Sequence, residues 1–362
     1  MPGGDFTFEP DLSRAGTIPS DWYRDPAMLE RERVGIFGRC WQLVGRTEQV
    51  RAAGDYFTCE VAGEPLLVAR AEDGVLRALS NVCRHRAGPV AGGAGHRKAL
   101  SCGYHGWTYG LDGSLCGTPE WEGVREFDRA RHGLPAFRIE SWGPFLFVNL
   151  DRGARPLAES LGAIPEETGA LPLESMSLFR KVDYEIACNW KVYVDNYLEG
   201  YHIPIVHPGL FRELDYRAYR VETAAMHSKQ HAPIRAKPER HGNPIDGTTP
   251  EVLYYWLFPN LMLNFYPDHL QTNVIVPLSA DRTLTRFEWY VLDPESPGAA
   301  EEFARAFAFS DQVQKEDIGI CEAVQRGLRS RTYATGRYSV LRENGVHHFH
   351  GLLDRFLHEP PG

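Results

Sequence analysis

Two short motifs decide the fold of the first half of the chain: Cys83-Arg84-His85 and, after sixteen intervening residues, Cys102-Gly103-Tyr104-His105. Each motif offers one thiolate and one imidazole. Two loops of this kind can hold a cluster of two irons and two sulfides, because two cysteines bind one iron and two histidines bind the other. The spacing therefore predicts that these four side chains bind a [2Fe–2S] cluster.

A structural zinc site is the alternative interpretation of the same four donors, since tetrahedral Zn²⁺ also takes two cysteines and two histidines. The context favours the cluster, because a zinc finger would place its histidines on a helix. Small and turn-forming residues near the motifs would let backbone N–H groups approach the sulfides of a cluster. They are Gly88, Pro89, Gly92, Gly93, Gly95, Gly103 and Gly106.

Short β runs surround the motifs from about residue 41 to residue 150, and Gly, Asp or Asn turns bound each run. Examples are residues 56–61 and 145–150. This pattern is typical of a small antiparallel β domain. A helix is predicted before it, at 28–37, and the glycine- and proline-rich stretch 151–172 is the candidate linker that follows.

The second half of the chain mixes helices with strands. Residues 179–186 alternate like a strand, and residues 252–292 contain several β runs. Helices are predicted at 190–201 and at 299–328, where helix breakers are few. A chain of 362 residues exceeds the size at which one hydrophobic core normally stops growing, so two domains are expected.

His202 and His207 follow the first of these helices and are candidates for a second metal site. Pro204 lies between them, so they cannot occupy successive turns of one regular helix. A helix end and the loop beyond it suit them better. A carboxylate distant in sequence would complete the facial triad that leaves open positions on iron(II). Asp317 and the adjacent Glu316, on the long C-terminal helix, are the candidates for that third position.

Bulk properties restrict the partners and the location. Net charge is −9, which argues against nucleic-acid binding because a phosphate-binding surface needs an excess of basic residues. The sequence has no run of about eighteen apolar residues, so no membrane span is predicted. Residues 1–11 lack the basic and apolar regions of a secretory signal, and a cytoplasmic protein is therefore expected.

The remaining cysteines and histidines are expected to have structural roles. The chain has seven cysteines, an odd number that fits reduced thiols and metal ligands better than a disulfide framework. The histidine-rich run 347–350 looks like a metal site by composition alone. No further ligand pattern surrounds it, so packing or hydrogen bonding is the preferred interpretation.

On these motifs, the chain resembles the Rieske non-haem iron oxygenase α-subunit family. Residues 81–86 and 102–109 look like its cluster-binding loops. The resemblance implies an α+β protein, with a small antiparallel β Rieske domain and a catalytic domain whose antiparallel sheet is covered by helices in a START-like, helix-grip arrangement. The implied division is a helical segment at 1–40 that packs on the catalytic domain, the Rieske domain at 41–155 and the catalytic domain at 156–362.

The resemblance also implies roles for site residues. The segment around Asp317 is similar to the one that supplies the aspartate ligand in this family, so His202, His207 and Asp317 are the implied ligands of a catalytic iron. Glu199 lies three positions before His202 and would share its helical face. In this family a carboxylate there, often Asp, connects a cluster histidine of one subunit with an iron histidine of the next. A solvent-exposed acid is the alternative for Glu199.

Within the family the chain is most similar to members that act on quaternary ammonium compounds, such as choline and glycine betaine monooxygenases. Residues 195–202, 313–317 and 322–328 carry this similarity. The implied activity is O₂-dependent C–H hydroxylation that leads to an aldehyde or to N-demethylation. One alternative is an aromatic ring-hydroxylating dioxygenase or a demethylase of an aromatic substrate. The alternative outside catalysis is a Rieske electron-transfer protein.

The implied cofactors are the Rieske [2Fe–2S] cluster and a mononuclear iron(II), with O₂ as co-substrate. Electrons would come from NAD(P)H through a separate reductase or ferredoxin, since the chain has no glycine motif for dinucleotide binding after a strand. The family most often forms homotrimers, and head-to-tail contacts of that kind close into rings. A homotrimer is therefore expected.

A small-molecule substrate with a trimethylammonium group would need aromatic faces for cation–π contact. Aromatic residues also dominate protein cores, so core packing is the alternative for each candidate. The candidates in the catalytic half are Tyr193, Tyr197, Tyr201, Tyr254, Tyr255, Trp256, Phe258, Phe265, Tyr266 and Trp289.

Overall fold

The computed structural model describes residues 6–235, 251–266, 269–295 and 299–359. The chain divides into two compact units. We name Arg33–Leu157 the cluster unit, and we name the residues up to Glu32 together with those from Ala158 onward the iron unit. The three-part division predicted from the sequence, with boundaries after residues 40 and 155, stays a proposal. In the described ranges no helix has both the length and the apolar character needed to cross a membrane.

The cluster unit consists mainly of antiparallel strands. These are β1 (Gln42–Arg46), β2 (Asp55–Val61), β3 (Glu64–Arg70), β4 (Leu76–Ser80), β5 (Ala94–His96), β6 (Ala99–Ser101), β7 (Thr108–Gly110), β8 (Leu115–Gly117), β9 (Ala136–Trp142) and β10 (Phe145–Asn149). Within the described residues, one sheet has the order β1-β10-β9-β4-β3-β2-β5 and a smaller sheet has the order β6-β7-β8.

The turn between β2 and β3 shows how the local sequence produces these hairpins. Ala62 and Gly63 have φ angles of 52° and 82°. Two consecutive residues with positive φ form the kind of two-residue turn whose twist matches that of the flanking strands. On one face of the hairpin, Leu66 and Val68 pack with Leu146 in a fully buried core. Burial of such side chains supplies the main driving force for folding.

The helices of the iron unit flank one large sheet. The elements are α1 (Pro26–Glu32), α2 (Leu157–Leu161, which begins on the last residue of the cluster unit), α3 (Ile164–Glu167), β11 (Ser177–Ile186), α4 (Trp190–Tyr197), α5 (Ile203–Val206), α6 (Pro208–Glu213), β12 (Arg220–Thr223), β13 (His227–Pro233), β14 (Glu251–Leu257), β15 (Leu261–Phe265), β16 (His269–Ser279), β17 (Arg282–Val291), α7 (Ala299–Gly327) and α8 (Asn344–His358). Among the described strands the sheet order is β11-β17-β16-β15-β14-β13-β12, and neighbouring strands are antiparallel.

Helix α4 is shorter than the sequence predicts. The Asn189 side chain caps its N-terminus by accepting a 3.0 Å hydrogen bond from the Lys191 N–H. The predicted helix 190–201 ends at Tyr197, because Leu198 and Gly200 leave the helical path and α5 starts only at Ile203. This break places the following residues in a turn.

The N-terminal segment contributes a buried charge to the same unit. The Lys191 ammonium and the Glu32 carboxylate form an ion pair at 2.5 Å in which both side chains are fully buried. Trp190 Nε1 donates to the same carboxylate at 2.7 Å. Removing one partner of such a pair would leave an uncompensated buried charge.

Helix α4 also packs against α7 and β16. The predicted α+β class with antiparallel sheets is confirmed.

Candidate metal centres and active-site cavity

The two cluster motifs lie in tight loops that backbone hydrogen bonds close. The Cys83 N–H donates to the Gly88 carbonyl at 2.8 Å, and the Cys102 N–H donates to the Trp107 carbonyl at 2.8 Å. The second loop connects strands β6 and β7. Cys83 and Cys102 are almost fully buried, whereas His105 is exposed. The loops therefore present thiols from the interior and an imidazole at the surface.

The surroundings of the donor atoms in these loops are consistent with a bound metal cluster. Nδ1 of His85 is buried and has no hydrogen-bond partner among the described residues. Its ring stacks on Trp107 at 4.9 Å and lies 4.7 Å, between centroids, from the ring of His105. A Cβ built on Gly88 would lie 3.1 Å from Sγ of Cys102. Leaving a buried imidazole nitrogen without a hydrogen-bond partner destabilises the folded protein. Coordination to an iron of a bound cluster would satisfy that nitrogen.

The spacing of the donors favours a cluster over a single zinc ion. In the described part of the chain, donor atoms of three or more metal-ligating side chains lie within 4.8 Å of one another only at His202, His207 and Asp317. The four residues of the loops do not converge in this way. Ligands of a two-iron cluster sit on separate irons, whereas the four ligands of zinc surround one ion.

Tyr109, on strand β7 after the second loop, contacts the first loop. Its hydroxyl lies 3.3 Å from Sγ of Cys83 and accepts a 2.9 Å hydrogen bond from the Arg84 N–H. Burial, followed by the interaction with Cys83, raises the pKa of Tyr109, so the hydroxyl keeps its proton. A protonated hydroxyl beside Sγ can donate a hydrogen bond to a cysteine thiolate.

The second candidate centre brings together residues that are far apart in the chain. Nε2 of His207 lies 3.0 Å from Oδ1 of Asp317, and Nε2 of His202 lies 3.7 Å from the same oxygen. Donors bound about 2 Å from one ion in neighbouring positions are about 3 Å apart. The three atoms can therefore hold one metal ion.

Short helices and one long helix position these donors. His202 is the N-cap of α5, and His207 ends α5 and begins α6. Asp317 lies on α7. Asn196 on α4 donates from Nδ2 to Oδ1 of Asp317 at 2.6 Å, which fixes the orientation of the carboxylate. The sequence predicts the histidines at a helix end and in the loop beyond it; they lie instead at the two ends of the short helix α5, and His207 also begins α6.

A carboxylate lies within hydrogen-bonding distance of the Nδ1 atom of each histidine. Oε1 of Glu199 lies 2.6 Å from Nδ1 of His202, and Oε2 of Glu316 lies 2.7 Å from Nδ1 of His207. Each carboxylate fixes the tautomer that leaves Nε2 available for a metal, which is the usual outer partner of a histidine ligand. Glu316 thus contacts a histidine and is not among the donor atoms that converge. The Glu199 side chain is only 11% exposed, so it is not a solvated surface acid.

The acids also alter the protonation of the histidine between them. Burial opposes protonation of His207, but its hydrogen bonds with Asp317 and Glu316 outweigh burial and raise its pKa above the ordinary value. A cation at this position is therefore favoured electrostatically, whether it is a proton or a metal ion.

A cavity of about 110 Å³ opens beside the triad. Of the predicted aromatic candidates, Tyr193, Tyr197, Tyr254 and Tyr266 line it. Tyr201 is exposed, and the remaining candidates do not line the cavity. Three further rings of the lining were not predicted from the sequence. They are Tyr219, Phe287 and Phe309.

Buried amides of the lining were also missed. Gln271 and Asn273 lie two positions apart on β16, and Asn264 pairs with Gln271 from β15. A signal for them exists in the sequence: Gln271 and Asn273 occupy alternate positions of one strand, so their side chains face the same side of the sheet. Such residues need buried hydrogen-bond partners or a ligand.

Two histidines of run 347–350, His347 and His350, have hydrogen-bond partners within the protein. Nε2 of His347 lies 2.8 Å from the Glu9 carbonyl oxygen, and His350 contacts Asp195 at 3.0 Å and Tyr338 at 2.6 Å. Burial lowers the pKa of His348 to about 4, so that ring is neutral at pH 7.

Comparisons with known proteins agree with this geometry. A family model described as the Rieske [2Fe-2S] domain matches residues 40–128, and a model described as the ring hydroxylating alpha subunit (catalytic domain) matches residues 173–359. The first match includes both cysteine–histidine loops. The second includes the triad.

Relatives of full length are also found. A chloroplastic choline monooxygenase of Arabidopsis thaliana is 36% identical over 96% of this chain and 84% of its own length. The carnitine monooxygenase oxygenase subunit of Escherichia coli K12 is 32% identical over 94% of this chain and 93% of its own.

Solved structures match along nearly the whole chain. The quaternary ammonium Rieske monooxygenase CntA in complex with L-carnitine has a TM-score of 0.83 at 28% identity, covering 97% of this chain and 99% of its own. Naphthalene 1,2-dioxygenase from Rhodococcus sp. has a TM-score of 0.79 at 20% identity, with 95% of each chain covered, and indicates a shared fold.

Proposed function

The chain belongs to the Rieske non-haem iron oxygenase family, and from this premise we propose that it hydroxylates a C–H bond of a quaternary ammonium compound. It is an oxygenase component with a Rieske cluster and a mononuclear iron. The resemblance inferred from the sequence is confirmed. The substrate and the roles of individual residues are the content of the proposal.

One observation carries the proposal: the donor atoms of His202, His207 and Asp317 converge beside a cavity whose lining is rich in aromatic rings. Three side chains that hold an ion on one side would leave its other positions open to O₂. Iron(II) held there would supply O₂ activation for C–H hydroxylation, with an electron from the cluster. In this proposal Cys83, His85, Cys102 and His105 hold the cluster.

The tyrosines of the cavity are suited to a cation without hydrogen-bond donors. Burial raises the pKa of Tyr193, Tyr197 and Tyr254, so their rings are neutral phenols. Their hydroxyls are bound by the protein: Tyr197 donates to Asn264 at 2.8 Å, and the hydroxyls of Tyr254 and Tyr266 lie 3.1 Å apart. The ring faces are therefore held in place for cation–π contact with a trimethylammonium group.

Hydroxylation at the alcohol carbon of choline would give an aldehyde hydrate, and hydroxylation of an N-methyl group of a betaine would release formaldehyde. Either reaction consumes one O₂, two electrons and two protons, and releases one water. We propose that the electrons come from NAD(P)H through a separate reductase or ferredoxin. A homotrimer and a cytoplasmic location stay predictions.

Glu199 is proposed to connect a cluster histidine of a neighbouring subunit with His202. It is well placed at the iron end, because it accepts from the His202 N–H at 3.1 Å and contacts Nδ1 of the same residue. The variant Glu199→Gln should retain both metals and slow electron delivery, measured as cluster oxidation in a single turnover. Normal cluster oxidation with intact iron would remove Glu199 from this role.

The experiment that tests the function mixes reduced protein with O₂ and follows the visible absorption of the cluster. Choline, glycine betaine and carnitine are compared with simple aromatic acids. Fast oxidation with a quaternary ammonium compound, accompanied by aldehyde or formaldehyde, is the expected result. If only an aromatic acid accelerates oxidation, the enzyme is a Rieske oxygenase of another substrate class, and the ammonium proposal is wrong.

A further inference from the structure

Three neutral amides lie on the sheet side of the cavity. Asn264, Gln271 and Asn273 line the cavity and are 6%, 5% and 3% exposed, respectively. They form one patch, because Asn264 and Gln271 are paired across β15 and β16, and Asn273 lies two positions further on the same face. We name these three residues the amide patch.

Hydrogen bonds within the protein hold the amide patch in a fixed orientation. Ser310 on α7 donates to Oε1 of Gln271 at 2.9 Å, and Nε2 of Gln271 donates to Oδ1 of Asn273 at 2.8 Å. Tyr197 donates to Oδ1 of Asn264 at 2.8 Å. Preorganised neutral groups of this kind can exchange a hydrogen bond with a hydroxyl of a ligand at little ordering cost.

The charges around the cavity favour a cation and oppose an anion. Glu199 and Asp317 are the acidic side chains of the lining, and Glu316 is bound to His207. Against the two positive charges of iron(II), three carboxylates leave one negative charge in excess. No Lys or Arg lines the cavity in the described residues. A buried carboxylate without a cationic partner is strongly disfavoured.

The size of the cavity also favours a compact ligand. Its volume of about 110 Å³ is well below the roughly 300–1,000 Å³ of typical small-molecule sites. Choline is the smallest of the quaternary ammonium candidates. Carnitine adds both length and a carboxylate, and glycine betaine replaces the hydroxymethyl group by a carboxylate.

We propose that the cavity selects a trimethylammonium alcohol of the choline type over zwitterions that carry a carboxylate, and that the amide patch is the specificity determinant. The ammonium group lies against the tyrosine rings, and the neutral hydroxyl is bound by the side chains of Gln271 and Asn273. This inference rests on the proposed function and narrows its substrate class.

Binding to the oxidised holoenzyme, which cannot turn over without electrons, tests the proposal apart from activity. Dissociation constants are measured by calorimetry for choline, glycine betaine, L-carnitine and the uncharged carbon analogue of choline, in which a tert-butyl group replaces trimethylammonium. Choline should bind at least about tenfold more tightly than either carboxylate, and the uncharged analogue should bind more weakly than choline. Equal or tighter binding of glycine betaine or carnitine would overturn the inference.

A pair of variants at one position sharpens the test. Gln271→Lys adds a cation to the patch, so binding of choline should weaken and the ratio of glycine betaine to choline affinity should rise at least about tenfold. Gln271→Met keeps the size without charge or hydrogen bonds; it should weaken choline binding without improving that of the carboxylates. An unchanged ratio in a folded Gln271→Lys protein would remove the amide patch from the specificity role. If that variant does not fold, the ranking by the wild-type protein decides.

The same ligands separate this inference from the function on which it rests. If carboxylate-bearing ammonium compounds bind best and are oxidised, the proposed function stands and the choline-type inference is wrong. If no quaternary ammonium compound binds and an aromatic acid does, both are wrong.

Discussion

The cluster loops and the iron triad differ in how far apart along the chain their donors lie. The cluster donors fall between Cys83 and His105, and backbone hydrogen bonds within each loop fix their positions. The triad joins His207 to a residue 110 positions away, Asp317, and side-chain carboxylates fix the imidazoles. One site is made by local turns, and the other by packing of α4, α5 and α7.

Because of this difference, we expect the two sites to respond differently to mutation. Loops closed by their own backbone keep their shape when a side chain outside them changes. A triad assembled by tertiary packing depends on every contact that orients its members, and outer partners commonly matter by 10–100-fold in metal affinity or activity. The predictions below test whether the sites are independent and how strongly each depends on its outer partners.

The largest effect is expected at Asp317. Asp317→Ala removes the only carboxylate of the triad, so iron should fall from about three to about two per chain and turnover should drop more than about 100-fold. The visible spectrum of the cluster should be unchanged. Iron analysis and absorption spectroscopy measure both. Asp311→Ala, on the same helix but hydrogen-bonded to Tyr184, is the matched control and should keep all iron.

The reverse change completes this test. Cys102→Ser should remove the cluster and leave about one iron per chain at the triad, provided that the two sites are independent. Loss of all iron in either variant would show that the sites are coupled and would contradict the comparison.

A smaller effect is expected at Glu316. Glu316→Gln replaces the carboxylate that holds Nδ1 of His207 at 2.7 Å, and iron affinity should fall by about 10–100-fold. Competition with a chelator measures it. Gln312→Ala is the control, since it removes only the 2.9 Å hydrogen bond to the other oxygen of Glu316. Wild-type iron affinity in Glu316→Gln would mean that packing alone orients His207.

The pH dependence of iron uptake follows from the protonation of His207. Its raised pKa means that protons compete with iron in the metal-free protein. Iron affinity should therefore fall as the pH is lowered through that raised pKa, by up to about tenfold per pH unit, and should level off above it. Glu316→Gln removes one cause of the shift, so its profile should move to lower pH. If the dependence of iron affinity on pH is the same in Glu316→Gln as in the wild type, Glu316 is not a cause of the raised pKa of His207.

The smallest effect is expected in the cluster unit, at Tyr109. Tyr109→Phe removes the hydroxyl that lies 3.3 Å from Sγ of Cys83. Hydrogen bonds to cluster sulfur raise the reduction potential of the cluster. The potential of the variant should therefore be more negative than that of the wild type by about 40 mV, the one-electron equivalent of a hydrogen bond of about 1 kcal/mol. Redox titration measures it, with iron content unchanged. A potential equal to that of the wild type would show that the hydroxyl does not donate to sulfur.

The elements of the iron unit show how far the sequence could be interpreted. The long helix predicted at 299–328 is observed as α7, because helix propensity over many residues is a strong local signal. The helix predicted at 190–201 ends early, at Tyr197. Local patterns fix the type of an element better than its ends, which depend on capping and packing.

Residues whose roles come from neighbours distant in sequence were the hardest to predict. Glu316 was a possible ligand from the sequence, and only the packing of α7 against α5 turned it toward Nδ1 of His207. Tyr219 lies in a loop and Phe309 lies on a helix. No repeating pattern in the sequence indicates that both side chains line the same cavity. The amide patch left a trace in the alternation along β16, but its partner Ser310 is on another element.

By itself, the sequence determined the family, the α+β class and the cluster loops, because the ligands of a loop closed by its own backbone are neighbours in the chain. It also narrowed the triad to two histidines and one of two acids. Only the folded chain shows which acid converges with both histidines, which rings line the cavity and which charged side chains surround it. Those properties depend on which side chains are in contact. Such contacts follow from where helices end and which way strand faces point, and both are fixed only when the whole core is packed.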